Sequence, residues 1–480
     1  VQIRLVARRG PLPRWQVLLA ERLVGLGHAV AWSRIAPARP EPAALALLLQ
    51  LEGLLYRRRG PNLTERIDPP PGAEASGPAD LVIDLAGDGA GADALRLVAD
   101  GSPEPEAIAC AILDGRGPHL AAVRGACVLA EARPALENRA MVTLSLDQVL
   151  ERAIDLLAGA VAAPAGGAFA PAPPRPVSGA SAARFLAAAL AAKVLTRLLR
   201  RGETWNIGWR PRTDGIPTDP ARWTQSPFTW LPWDPGRYLA DPFVVEHEGR
   251  TVILCEELPF ATGRGVISAV TLDAEGRPGP PRVVLERPYH LSYPFVFRRG
   301  GAIWMIPESS ANRTVELYRA ARFPDAWELE AVLIRDVCAG DATVELIDGT
   351  WWLFCTTTGP HGSSWDALSL FTAPDLRGPW RPHPGNPVLI DAASARPAGA
   401  LLRHEGGLWR VAQDCRARYG AGLALCRIDR LDGEGFAQSV AARLSPGWGA
   451  VGCHTFNRSE RFEVIDAVWP TRGGRVATAG

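Results

Sequence analysis

Five segments in the second half of the chain share a layout, and the residues that lead them could do chemistry together. They are Asp241 in ADPFVVEHEGRTVILCEE, Tyr293 in SYPFVFRRGGAIWMIPE, Asp341 in GDATVELIDGTWWLFCTT, Arg396 in ARPAGALLRHEGGLWRVAQD and His454 in GCHTFNRSERFEVIDAVW. Glu256 follows Asp241, and Glu308 follows Tyr293, at the same spacing, which puts acids at the ends of the returning strands; Asp414 closes the fourth segment. Asp241, Glu308 and Asp341 therefore offer three carboxylates. Cleaving a glycosidic bond needs two, one to protonate the leaving oxygen and one to activate water or attack the anomeric carbon. A third holds up the acid's pKa by like-charge repulsion. Tyr293, Glu256, Arg396, Asp414 and His454 are the candidate substrate contacts, with Trp409 a further ring for a sugar to lie on. The plainer alternative is that each acid caps its own turn, that Arg396 neutralises Asp341 and that His454 is a structural histidine.

These residues need a frame that brings the five segments together. Each segment reads as a strand, a tight turn that usually holds glycine, and a more hydrophobic strand. A strand-only repeat near 50 residues is the period of a propeller blade. In a propeller the innermost strands line a central channel, so the five lead positions converge. The strand WNIGW (205–209) is left over from the repeats and is placed to complete the last blade and close the ring. Trp304, Trp351 and Trp352 fall in mid-strand and read as packing between blades.

The first 160 residues have another texture. Strand-like runs (IRLVA, HAVAW, LVIDLAG, AIACAIL) alternate with helix-like ones (WQVLLAERLVGLG, AALALLLQLEGLLYRR, LDQVLERAIDLLAGAVA), which argues for a parallel α/β layer domain. No GxGxxG follows the first strand, and GDGAG at 87–91 reads as a tight turn rather than a dinucleotide site. The expected organisation is an α/β domain over 1–161, a Pro/Ala/Gly linker over 162–180, a connecting helix with a capping serine over 181–203, an all-β five-bladed propeller over 204–470 and a tail over 471–480.

The composition limits the partners. Lys+Arg 52 against Asp+Glu 51 leaves no general field to draw the 480-residue chain to nucleic acid. Eight scattered cysteines without a CxxC pair read as reduced thiols of a cytoplasmic protein. The longest apolar stretches are broken by charged or polar residues and give no transmembrane span.

YLADPFV, LSYPFVF, MIPES, LYRA, WWLFCTT, the NPV to ARPAG stretch and GCHTFN resemble the five-bladed domain at the N-terminus of plant glucosamine inositolphosphorylceramide transferases and its bacterial relatives, where a formyltransferase-like domain often precedes it. More distantly, ADPF and ARPAG are similar to the five-bladed arabinanase, xylosidase and invertase glycosidases. That likeness implies Asp241 as base or nucleophile. In those enzymes the acid glutamate follows the second essential aspartate, whereas here Glu308 precedes Asp341, so Glu308 as general acid and Asp341 as orienting carboxylate are expectations from the residues themselves. The likeness also implies a calcium ion near His454 as the one cofactor to consider; no other cofactor or metal site is expected. The front domain resembles the formyltransferase (Rossmann-like) fold in element order only. Its CAILDGRGPHLAAVRG lacks that family's Asn, His and Asp set, so it is expected to be degenerate, a recognition or docking module. The leading expectation is cleavage or transfer at a glycosidic bond of a sugar or glycoconjugate. The alternative is a non-catalytic glycan-binding scaffold for a separate glycosyltransferase partner.

Overall fold

The computed structural model describes residues 1–35, 42–56, 61–68, 77–87, 90–164, 166–173, 175–199 and 201–472; the expected tail from 473 onward lies outside them. The chain divides into two compact units, Val1–Leu195 with Gly359–Ser363, and Thr196–Thr358 with Ser364–Gly480.

The first unit is built on a six-stranded sheet in the order Ala29–Arg34, Gln2–Ala7, Leu81–Asp84, Leu95–Ala99, Leu120–Arg124, Cys127–Ala132. Its first four strands run parallel, but the last two pairings are antiparallel, so the sheet is mixed where an all-parallel one was expected. Helices Arg14–Gly25, Ala43–Tyr56 and Val142–Ala160 fall on the three helix-like runs. AIACAIL, expected as a strand, is instead most of helix Glu106–Leu113, with Pro105 at its start and Glu106 in its first turn. Alanine favours helix, and six of the eight residues are buried, a burial that two-fold alternation would not give. The final two strands went unread because LAAVR and CVLAEA are short and alanine-rich.

Part of the stretch expected as a linker is pinned rather than free. The Val128 and Phe169 amides bond the Gly167 and Ala126 carbonyls, and the Ala172 amide bonds Gly101. The connecting helix runs Gly179–Leu199, slightly ahead of expectation, and residues 201–203 already belong to a strand. Its capping hydroxyl is that of Ser178, which accepts from the Ser181 amide at 3.1 Å.

The second unit is a five-bladed propeller. Blades 1, 2 and 4 are four-stranded meanders over 237–285, 292–335 and 402–444, and blade 3, over 339–390, carries two short outer strands. Blade 5 joins Phe456–Arg458 and Phe462–Arg472 to Arg201–Pro211 and Thr229–Trp230. The pairing of Arg201–Pro211 with Phe462–Arg472 is continuous over eleven residue pairs, from Phe462 opposite Pro211 to Arg472 opposite Arg201, so the strand holding WNIGW closes the ring as expected. Apolar faces fill the seams between blades. Phe243, Phe295, Trp304 and Trp351 share one such core, and Trp352 packs with Phe354 and Leu368 in another. All three mid-strand tryptophans are thus interior.

Candidate functional site

The innermost strands of blades 1 to 3 share a local device. Pairing with the next strand slips between Ala240 and Phe243, between Ser292 and Phe295, and between Gly340 and Thr343. The first residue inside each slip has a positive φ: Asp241 at 52°, Tyr293 at 41° and Asp341 at 56°. A bulge with left-handed backbone turns one side chain away from the regular pleat, and non-glycine residues adopt it at a cost of roughly 1–3 kcal/mol. The same strained step recurs in three blades at the lead positions. The register also explains the equal spacings, since Ala240 faces Glu256 and Ser292 faces Glu308 directly across the hairpin.

The bulges leave backbone amides that the preceding blade satisfies. The Asp241 amide donates to Asp466 Oδ2 of blade 5 at 3.0 Å. The Tyr293 amide donates to Asp241 Oδ2 at 3.1 Å, and the Asp341 amide to Glu308 Oε2 at 3.1 Å. Three carboxylates thus cap the next blade's bulge rather than their own turns.

Around Asp241 the acids and a histidine form one buried group. Thr455 Oγ1 donates to Asp241 Oδ1 at 2.7 Å, and His454 Nε2 lies 3.8 Å from the same oxygen. On the other side of the ring, His454 Nδ1 lies 2.5 Å from Asp466 Oδ2. Burial opposes charge on the imidazole, but Asp466 and Asp241 outweigh it and raise its pKa to about 9. Burial pushes Asp241 up to about 6, with His454 pulling the other way. Asp241, His454 and Asp466 each present a ligand atom within 4.8 Å of the others. As a calcium cage the set fits poorly. Calcium takes roughly six to eight oxygens, and here one member of three is an imidazole held as a cation between its carboxylates.

Asp341 is the centre of a second group. Arg396 Nε and Nη2 donate to its two oxygens at 2.6 and 3.2 Å, and Gln413 Nε2 donates at 2.8 Å. Burial disfavours the guanidinium, yet Asp341 holds Arg396 well above its ordinary pKa, so the fork stays charged. Glu308 Oε2 lies 3.6 Å from Arg396, and Ser310 donates to Glu308 Oε1 at 2.7 Å. With its side chain 15% exposed, against 3% for Asp341, Glu308 is the more accessible acid of this group.

Other expected contacts take different places. Tyr293 is fully buried, its hydroxyl 2.9 Å from Thr343 Oγ1 and accepting from the Gly399 amide at 2.8 Å; it staples blades and has no face left for a sugar. Gly399 has to be glycine, because at φ 144° a Cβ would lie 2.2 Å from the Phe456 carbonyl oxygen. Asp414 is spent on Arg416, at 2.6 Å, and Arg443, at 3.4 Å. Glu256 faces His290 Nε2 at 3.1 Å, while His290 Nδ1 accepts from the Gly265 amide, which fixes the ring's proton on the Glu256 side. Burial works against the His290 cation but Glu256 prevails, and the pKa rises. Trp409 lies edge-on to His404 in blade 4.

The sequence reading missed an aromatic wall beside these acids. Trp205, from the closing strand, stacks on His454 with ring centres 4.1 Å apart and planes at 18°. Tyr419 stands edge-on to His454 at 5.1 Å and 5.7 Å from Trp365, and the Arg396 guanidinium lies 5.1 Å from its ring centre. Trp205, Tyr419 and Trp365 are all partly exposed. Asp466 was also missed, though an acid in the middle of the apolar run VIDAVW is itself a signal, since a buried charge demands a partner.

Five blades around a channel end that combines carboxylates, an arginine and half-buried rings define a five-bladed propeller with a polar, aromatic-walled site. Residues 232–463, most of the propeller, match the family described as glucosamine inositolphosphorylceramide transferase 1, N-terminal. The chain is 34% identical over 247 residues to glucosamine inositolphosphorylceramide transferase 1 of Oryza sativa subsp. japonica, a match covering 51% of this chain and 33% of the relative. It is 30% identical over 266 residues to the Arabidopsis thaliana protein of that name, covering 53% and 34%. The chain thus spans about a third of the length of the curated relatives it matches. Among solved structures, a family 117 glycoside hydrolase from Zobellia galactanivorans aligns at 13% identity and TM-score 0.36 over 55% of this chain and 90% of that one. The GH43 protein BlXynB from Bacillus licheniformis aligns at 19% identity and TM-score 0.33 over 44% of each.

Proposed function

We propose that the propeller binds a sugar or glycoconjugate at this end of its channel. The observation that supports this most is the wall of Trp205, Tyr419 and Trp365 standing beside Arg396 and Glu308. Aromatic faces take the apolar side of a pyranose and the accessible Glu308 carboxylate takes its hydroxyls, while Arg396, held by Asp341 and Ser364, fixes Tyr419 and Glu308 in place. Binding is favoured over bond cleavage because both oxygens of Asp241 and both of Asp341 already accept hydrogen bonds from the protein. A general base or nucleophile needs an oxygen free to meet the substrate. In this reading the propeller serves a separate glycosyltransferase, in a reducing compartment, and the front α/β unit, as a degenerate formyltransferase-like module, docks or recognises.

One observation favours the second reading, glycosidic cleavage or transfer with Asp241 as base or nucleophile and Glu308 as acid. A carboxyl held at about 6 exchanges its proton near neutral pH, as acid–base catalysis requires. Glucosamine and inositol phosphate, moieties in the names of the plant relatives, are the first probes. Calorimetric titration of the full chain is expected to give saturable binding to at least one of them, weakened about tenfold or more in Trp205→Ala. Aryl glycosides separate the readings, since turnover lost in Asp241→Asn with affinity kept would establish catalysis. If neither probe binds and no glycoside is turned over, the carboxylates are inter-blade caps alone.

A further inference from the structure

We propose that the first unit carries a separate ligand site, for a small uncharged molecule with an apolar body and one N–H or O–H donor. A cavity of about 370 Å³ lies at the carboxyl ends of Gln2–Ala7 and Leu81–Asp84, lined by Arg8 after the first strand and by Asp84, Leu85 and Ala86 of the second. The chain order reverses between these neighbours, because Ala29–Arg34 lies on one side of Gln2–Ala7 and Leu81–Asp84 on the other. In open α/β sheets this crevice is where ligands bind.

The walls state what would fit. Leu12, Trp15, Leu45, Ile108 and Leu146 give it an apolar body. Among the described residues three arginines and three carboxylates line it in equal number, so these walls carry no net charge to attract an ion. Arg8 and Asp84 are also spent on backbone, Arg8 donating to the Ala86 carbonyl and Asp84 accepting from the Ala86 and Gly87 amides.

Gln16 supplies the specific demand. It lies in the first turn of helix Arg14–Gly25, lines the cavity and is 7% exposed. Its Nε2 donates to the Leu85 carbonyl at 3.3 Å, which fixes the amide orientation, because the flipped amide would set oxygen against oxygen. Its Oε1 is then a buried acceptor with no hydrogen-bond partner among the described residues. A buried acceptor left unpaired is costly, and a donor on a ligand removes that cost.

Indole and N-methylindole test this on the full chain, since they share a bicyclic apolar body and differ in the donor. Calorimetry is expected to show saturable one-site binding of indole and binding of N-methylindole weaker by about tenfold. Gln16→Leu, which keeps the bulk and removes the acceptor, is expected to bind the two alike, with a thermal melt confirming that the variant is folded. Absence of saturable indole binding overturns the proposal. So does equal affinity of the two probes for the wild type, or a preference for indole that survives in a folded Gln16→Leu protein.

Discussion

The Tyr293 amide donates to the carboxylate of Asp241 across the seam between blades 2 and 1. The carboxylates of Asp466 and Glu308 likewise accept from the Asp241 and Asp341 amides. The acids that could serve a sugar therefore also hold the ring together, and any substitution in them is read twice, in ligand binding and in stability.

Asp241→Asn is expected to lower stability by about 1–3 kcal/mol, because an amide cannot accept from both Thr455 and Tyr293 as the carboxylate does, and His454 loses an anion. Urea unfolding of the full chain measures this. A midpoint equal to wild type would mean that the seam does not depend on the cap.

The His454 cation makes stability fall with rising pH. Its pKa is about 9 in the fold against 6.5 for the free group, so between these values only the folded state holds the proton. The contribution is complete below about pH 6.5, on the order of 3 kcal/mol, and is lost as pH rises through about 9. Asp241, up from 3.8 to about 6, is likewise richer in protons when folded, and its contribution falls as pH rises from about 4 to 6. Urea midpoints are expected to decline between about pH 6.5 and 9 in wild type and to do so less in His454→Gln.

Removing one partner of the Asp341–Arg396 pair should be worse than removing both. Arg396→Met leaves a carboxylate buried with only Gln413 to answer it, at an expected cost of about 3–5 kcal/mol. Adding Asp341→Leu should recover part of that loss. A double variant as unstable as the sum of the two single ones would show that the pair has no coupling.

Deleting Gly202 to Arg210 should abolish cooperative unfolding of the propeller, because it strips the strand that pairs along Phe462–Arg472 and exposes that edge. Circular dichroism against temperature reads this directly. An unchanged sharp transition would place closure elsewhere.

The blade repeat and the closing strand were legible because both rest on local pattern, strand period and one leftover strand. Asp341 and Arg396 were legible as a pair for a related reason, since equivalent positions of adjacent blades must meet. Tyr293 was misread because its type suits a sugar platform, whereas its hydroxyl's partners, Thr343 and the Gly399 amide, come from other blades. Tyr419 and Trp365 stayed hidden for the same reason, lying in connections with no repeat to mark them. AIACAIL shows the opposite limit, where a short apolar run has no period to separate a strand from a buried helix.

Ring closure by Arg201–Pro211 also imposes a wait during synthesis. The strand leaves the ribosome with its amides unpaired, and its partner follows about 250 residues later, which is on the order of tens of seconds at typical elongation rates. During that interval the nascent chain carries an open, tryptophan-bearing strand, and four blades have to stack in sequence before the seam can shut. Yield of the soluble protein should therefore depend on what shields that strand while translation proceeds, a constraint set by the order of the strands rather than by the stability of the finished ring.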